Sequence, residues 1–320
     1  MNRNLSLAVK LLVSVIIIYF IVQYIGWQNI FESLKTFNLW YLIPAGVFLF
    51  LNYIFNALNL YTLLNMDQQC VGFLHVLRVY AITIGISLFL PGVIGQASMI
   101  LLFKRNTKSF GKGTGVFILD RIWVLLVVLV GASLSAFIFI PQEALYFVII
   151  SAILIMLFVL FFATSFGNKI LFRLITFLCP KKLYLKLGNV FGVLQNYPTN
   201  KLVILKNVLF SIARWACRVL WVFFIIMGFG VYLSPFMIYS VCAWEALLSM
   251  IPITFSGLGI KEGVGLFLYE KLGVSVSVIG GVYFIINLFV YVVGAAVLVL
   301  LKKEDVSWHA LFAKEKIQKI

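Results

Sequence analysis

Acidic residues are scarce in this sequence: ten Asp and Glu among 320 residues, against 25 Lys and Arg. Charge of both signs amounts to 11% of the chain, where soluble domains carry about a quarter. So little charge cannot clothe a water-exposed surface. The apolar share is 63%, more than the interior of a protein this size can hide. The excess must face lipid. Histidine is nearly missing too, with only His75 and His309, and no His-rich metal cluster or Ser-His-Asp triad is visible. The four cysteines, Cys70, Cys179, Cys217 and Cys242, stand in or beside apolar segments. Without CxxC or CxxxC spacing they support neither a disulfide framework nor a zinc site, and read as buried thiols. A GxxxxGKS/T phosphate loop and a DxD pair are both lacking. No metal and no cofactor is expected.

What is present is a chain filled almost end to end by apolar runs. No polar stretch is long enough for a separate globular domain. The expected class is an all-α integral membrane protein, with one transmembrane domain over 1–305 and a short basic tail over 306–320. The formal charge of +15 could suggest nucleic acid, but most of the basic residues lie in short loops between apolar runs. That is the pattern of the positive-inside rule, and no nucleic-acid partner is expected.

A spanning helix needs about 20 mainly apolar residues. Six segments qualify: roughly 6–25, 40–64, 114–140, 145–166, 205–229 and 276–301. The first follows Arg3 and Lys10 as a signal peptide would. The bulky Gln23-Tyr24-Ile25-Gly26-Trp27 offers no small-x-small cleavage site, so the run is expected to stay as a membrane helix. Residues 71–106 and 236–272 are each too long for one span. They are broken at Leu90-Pro91-Gly92 and at Ile251-Pro252 with Ser256-Gly257-Leu258-Gly259.

The N-terminus, 104–113, 167–206 and the tail from Lys302 hold 18 of the 25 basic residues, while 26–39, 141–144 and 230–235 hold only Lys35. The first group, and with it both termini, is expected in the cytoplasm. The high Phe, Ile and Lys content fits an AT-rich prokaryote, so the expected location is a prokaryotic cell membrane. Following the chain from side to side, each long stretch must start and end on one face. A re-entrant hairpin satisfies this, with turns at Pro91, Gly92 and Gly95 and at Pro252, Gly257 and Gly259. The halves, about 6–140 and 145–301, then read as span, span, hairpin, span, entered from opposite sides. The result is an inverted repeat of six spans and two hairpins, about eight membrane segments. The alternative is a kinked helix plus an interfacial piece in each stretch, which breaks the symmetry.

Eight charged side chains fall at or near membrane depth: Arg78, Asp120, Arg121, Arg214, Arg218, Glu245, Lys261 and Glu262. At the centre of a lipid-facing helix each costs about 2.5 kcal/mol or more, so they are expected to face inward and pair. Arg214 and Arg218, four apart on one helical face, repel unless an anion or a carboxylate sits between them. A phosphate fits, and Glu245 fits from within the protein; snorkelling to the interface is the bland alternative. Asp120 and Arg121 are adjacent and expected to find partners elsewhere, Arg78 being the natural one for Asp120. Whether that pair binds ligand or only locks hairpin to span stays open. Glu262 follows the Gly257-x-Gly259 turn and suits a helix N-terminus. Gln96 occupies the comparable place in the first hairpin. His75 is a possible proton relay near Arg78, or simply an interfacial histidine.

Three blocks carry a family resemblance. Ala81 to Gln96, with Leu90-Pro91-Gly92 and Gly95-Gln96, is similar to a "small-x-x-x-G…LPG…GE" signature. Leu119-Asp120-Arg121-Ile122 resembles a "DR" motif opening the next span, and Ile251 to Glu262 resembles "P…GGLGxRE". Together they resemble the lysylphosphatidylglycerol synthase transmembrane-region family, also called flippase-like, over about residues 10–305. Gln96 stands where the family commonly has Glu, Ser256 where it has Gly, and Lys261 where it has Arg. If the carboxylate at position 96 couples protons or binds a cationic head group, this member has lost that step.

The resemblance implies movement of a lipid or lipid-linked head group between leaflets. The expected partner is a membrane lipid carrying an anionic phosphate: a phospholipid, a glycolipid or a polyprenyl phosphate. Arg78, Arg121, Arg214 and Arg218 are expected to hold the head group, with Asp120, Glu245 and Glu262 balancing them. No synthase domain or recognisable catalytic constellation is read here, so an enzyme is not expected. The rivals are a non-catalytic partner of a separate lipid-modifying enzyme, and an intramembrane transferase using Asp120 or Glu262 as base.

Overall fold

A computed structural model describes residues 3–66, 71–88, 92–107, 110–178, 188–251, 254 and 257–301. Among them are thirteen α-helices and no strand. In chain order the helices are α1 (Arg3–Ile25), α2 (Trp27–Lys35), α3 (Leu42–Leu64), α4 (Phe73–Ser87), α5 (Gly92–Thr107), α6 (Phe110–Phe139) and α7 (Ala144–Ala163). They continue with α8 (Ser165–Leu178), α9 (Gly188–Asn196), α10 (Lys201–Gly228), α11 (Pro235–Ser249), α12 (Ile260–Lys271) and α13 (Val276–Leu301).

Helices are the only economical answer for this composition, because backbone polar groups in hydrocarbon must be satisfied within their own segment. Polar residues mark where they stop and start. Asn200 caps α10 by accepting from the Val203 N–H at 3.2 Å, and Ser234 caps α11 with Pro235 in its first turn. Five helical stretches are long and apolar enough to cross a membrane: Leu39–Leu64, Gly111–Phe139, Ala144–Phe162, Lys201–Gly228 and Val276–Val299. They match five of the six expected spans. The other is α1, which meets α2 at a bend of 69° over Gly26 and passes the same test as a pair with it. The protein is an all-α multi-pass membrane protein.

Two apolar cores lie at opposite ends of the bundle. One gathers the end of α1 (Ile25), the start of α3 (Ala45, Leu49), the end of α6 (Ala136, Phe139) and the end of α10 (Ile225, Ile226). The other gathers the end of α3 (Leu60, Leu63), the start of α6 (Val116, Leu119), Val203 at the start of α10, and α9. Between them α3 and α10 run antiparallel, with Phe48 on Phe224 (5.5 Å) near one end and Phe55 near Phe210 (6.4 Å) towards the other. Half of the most apolar window of α10 is buried against 6% of that of α7. α10 is therefore central, and α7 stands at the lipid-facing rim. Exposed aromatics Tyr24, Trp27, Trp40, Tyr146 and Tyr232 ring the first-core end, as at a membrane–water interface.

Both broken stretches fold back on themselves. α4 packs on α5 and α11 packs on α12. α4 re-enters the bundle alongside the end of α3, with Phe73 beside Tyr61 (6.0 Å) and Tyr80 beside Tyr53 (6.1 Å). Every buried apolar residue of α4 and α5 in a core belongs to the second core; those of α11 and α12 belong to the first. The two folded-back pairs thus occupy opposite ends. Pro91 and Pro252 lie outside the described residues, whereas Gly92 and Gly95 are in the first turn of α5.

Candidate functional site

A polar layer separates the two cores. α3 carries Asn52, Asn56 and Asn59, and α10 carries Asn207, Ser211 and Arg214. Each trio is spaced four and three, the spacing that keeps side chains on one helical face. Arg214 Nη1 donates to Asp120 Oδ1 at 2.6 Å and to Asn56 Oδ1 at 3.1 Å, and Nη2 donates to Ser211 Oγ at 3.2 Å. Asn59 Nδ2 donates to the same Asp120 oxygen at 2.9 Å, and Asn207 Nδ2 to Asn59 Oδ1 at 2.7 Å. Asn52 Nδ2 reaches the Arg214 carbonyl at 2.6 Å. Asp120 is 2% exposed and Arg214 3%. At that burial an unpaired charge is prohibitive, and here the ion pair is completed by three side chains, Asn56, Asn59 and Ser211.

This overturns two expected pairings. The cation that reaches Asp120 is Arg214, from α10, and not Arg78, which sits on the exposed side of α4. Arg121 was expected to look elsewhere, yet its long side chain curls back to within 3.3 Å of Asp120 Oδ2 while the guanidinium lies 5.1 Å over Phe117. Reach, rather than facing, decides that contact. The Arg121 side chain remains 36% exposed, and its Nε is buried without a hydrogen-bond partner.

One turn along α10, Arg218 turns the other way. Its Nη2 is 3.9 Å from Glu245 Oε2 on α11, and its guanidinium lies 5.5 Å over Trp215. The two arginines therefore avoid mutual repulsion by taking separate carboxylates, and Glu245 faces Arg218 alone rather than sitting between the two as expected. Glu245, 5% exposed, also accepts from the Tyr283 hydroxyl of α13. Gly265 on α12 makes this contact possible, since a Cβ there would run into that hydroxyl and stand 2.7 Å from Glu245 Oε1.

Lys261 and Glu262 complete the cluster at the start of α12. Gly257 and Gly259 hold φ of 75° and 87°, in the region glycine tolerates, and turn the chain into the helix. Glu262 Oε2 accepts from the Gly259 N–H at 2.7 Å, the capping role its position suggested, and Oε1 accepts from Asn287 Nδ2 at 3.1 Å. Glu262→Ala is expected to lower stability by about 1 kcal/mol through loss of this cap, read as a lower thermal midpoint in detergent. Arg218 Nε and the Tyr269 hydroxyl of α12 are buried without hydrogen-bond partners.

The structure thus sorts the expected residues into two adjoining groups along α10: Asp120, Arg121 and Arg214; and Arg218, Glu245, Lys261 and Glu262. Arg78 and Gln96 belong to neither. Among the described residues no set of three His, Cys, Asp or Glu side chains is placed to hold a metal. Sequence reasoning missed Asn52, Asn56, Asn59, Asn207, Ser211, Tyr283 and Asn287. The repeat of three asparagines at spacings of four and three in an apolar span was the readable signal; the tyrosine had none.

Residues 7–297 match the profile of the lysylphosphatidylglycerol synthase TM region. The chain belongs to that family. The match spans both cores, the polar layer and both folded-back pairs, so the whole architecture above belongs to the family domain. No curated protein and no solved structure matches this family member. Its family ties it to membranes and to lipid modification or movement. The chemistry of the two groups agrees: they offer guanidinium, ammonium, carboxylate and amide groups inside a bundle otherwise lined by hydrocarbon.

Proposed function

We propose that this protein moves an anionic, phosphate-bearing lipid or lipid-linked head group between membrane leaflets. The observation that carries the reading is the band of polar and charged side chains at mid-depth between two apolar cores. A head group crossing hydrocarbon pays a large desolvation cost, and groups that replace its water along the way lower that barrier. Arg121 and Arg218, each about a third exposed, are the cations free to share themselves with a phosphate, together with Lys261. Arg214, with both terminal nitrogens engaged, frames the path.

An inverted repeat, with halves 6–140 and 145–301, is part of this reading. It is supported by hairpin pairs in opposite cores, by α3 and α10 as antiparallel partners, and by the matched packing of α4 on α13 and α11 on α6. The orientation has both termini in the cytoplasm of a prokaryotic cell, and the aromatic ring on the outer face. The transferase alternative is weakened because the carboxylates it would use as bases are already engaged by Arg214, Asn59, the Gly259 amide and Asn287.

The test is leaflet exchange in proteoliposomes with fluorescent phosphatidylglycerol, other anionic lipids and a polyprenyl phosphate. Wild type is expected to accelerate exchange of one class. Arg121→Ala and Arg218→Ala are expected to lose about tenfold or more, the value of one charge-assisted contact, while remaining folded. Normal exchange in both variants would sink the site assignment. No exchange by folded wild type across the panel would sink the reading itself.

A further inference from the structure

Beside the charged cluster lies a groove of about 210 Å³ between α1–α2 on one side and α12–α13 on the other. Its walls are Ile18, Ile21 and Val22 of α1, Ile30 of α2, Leu266 of α12 and Phe284 of α13. At its inner end stand Glu262, Asn287 and Tyr283, the last bonded to Glu245. At its outer end the α1–α2 bend carries Trp27 and Tyr24, both more than half exposed, at the aromatic ring of the bundle. The groove therefore runs from the level of one interface towards mid-depth and stops against the Arg218–Glu245–Lys261–Glu262 group.

We propose that this groove is a lipid site that receives one hydrocarbon chain of the transported lipid and admits it sideways from the bilayer. Three observations choose the occupant. The walls are aliphatic and aromatic, and an apolar cavity of even about 150 Å³ favours hydrocarbon over water. Two of the helices that form it, α1 and α13, are long and apolar enough to take part in spans, so acyl chains are what the bilayer presents at its open side. Finally, the polar inner end would bring whatever is attached to that chain beside the charges that the transport reading gives to the head group. The proposal rests on that reading for the last point only.

The geometry also explains why α2 lies where it does. Ser33 Oγ on α2 donates to the Ser277 carbonyl at 3.0 Å, pinning α2 against the start of α13 beside the groove. Phe284 in the opposite wall is 41% exposed and marks a lateral way in.

The experiment uses the full chain in vesicles of phosphatidylglycerol and phosphatidylethanolamine, with a trace of phosphatidylglycerol carrying a diazirine on one acyl chain. After irradiation, adducts are mapped by mass spectrometry, and leaflet exchange is followed in the same vesicles. Labelling of 18–22 and 279–287 is expected to exceed severalfold that of the equally lipid-facing Ile149 and Ile153 of α7. Ile18→Trp and, from the opposite wall, Phe284→Trp fill the groove; each is expected to remove the excess and slow exchange. Two variants guard against one that fails to fold. Labelling no stronger than on α7, an excess that survives both fillings, or an excess removed with exchange unchanged would each overturn the proposal. Strong, fillable labelling by a protein that exchanges no lipid would uphold the chain site and bring down the transport reading alone.

Discussion

Arg214→Ala is expected to cost about 3 kcal/mol of stability, seen as a strongly lowered or lost melting transition in detergent, because it strands Asp120 as a buried charge. The carboxylate would keep Asn59 and the partly exposed Arg121 but lose its closest cation, and Asn56 and Ser211 would lose a donor. The double variant Asp120→Asn, Arg214→Gln removes both charges and keeps hydrogen-bonding groups at both positions. It is expected to recover most of the loss, since unpaired charge rather than absent attraction dominates the penalty. A wild-type melt for Arg214→Ala would mean that the layer is not a structural element. This assignment departs from the sequence expectation that Arg214, like Arg121, holds a head group. Both terminal nitrogens of Arg214 are engaged inside the protein, and its Nε is buried without a partner.

Gly265→Ala is expected to be the second large effect. One added methyl would collide with the Tyr283 hydroxyl and crowd Glu245, so either α12 shifts or the Tyr283–Glu245 bond breaks. Overpacking of this kind costs about 1–3 kcal/mol. Under the transport reading it should also depress exchange, because Glu245 is the carboxylate that Arg218 faces. Tyr283→Phe in the same chain removes the colliding oxygen. The double variant still leaves the ring Cζ and Glu245 Oε1 crowding the added methyl, so it is expected to regain only part of the thermal stability and not full exchange, since Glu245 still lacks its hydroxyl donor. Equal melting temperatures for wild type and Gly265→Ala would refute the account of this glycine.

The membrane nature of the chain, its spans and its two breaks were legible from residue order alone. Hydropathy over about 20 residues is a one-dimensional property matched to bilayer thickness, so a run such as 276–301 declares itself without knowledge of its neighbours. The fold-back at Gly257-x-Gly259 and the cap by Glu262 were legible for the same reason: turn and cap chemistry act within four residues. The functional candidates were legible as residue types, because a charge in an apolar run is conspicuous. Their grouping was not. Arg214 and Asp120 lie 94 positions apart, and Tyr283 lies 38 from Glu245.

Which cation meets which carboxylate depends on the rotation of each helix about its axis and on which helices are neighbours. Both are outcomes of packing. Arg78 and Arg214 look alike in sequence, each an arginine within an apolar helix. Packing turned one to the exposed side of α4 and the other into the seam with α3 and α6. The sequence by itself determined that this is a helical membrane protein of the lysylphosphatidylglycerol synthase TM-region type, because lipid selects for apolar length and local turn chemistry. Only the tertiary structure decided that Arg214 pairs with Asp120 and Arg218 with Glu245. The low dielectric of the bundle interior forces each buried charge to pair with the nearest opposite one that packing presents.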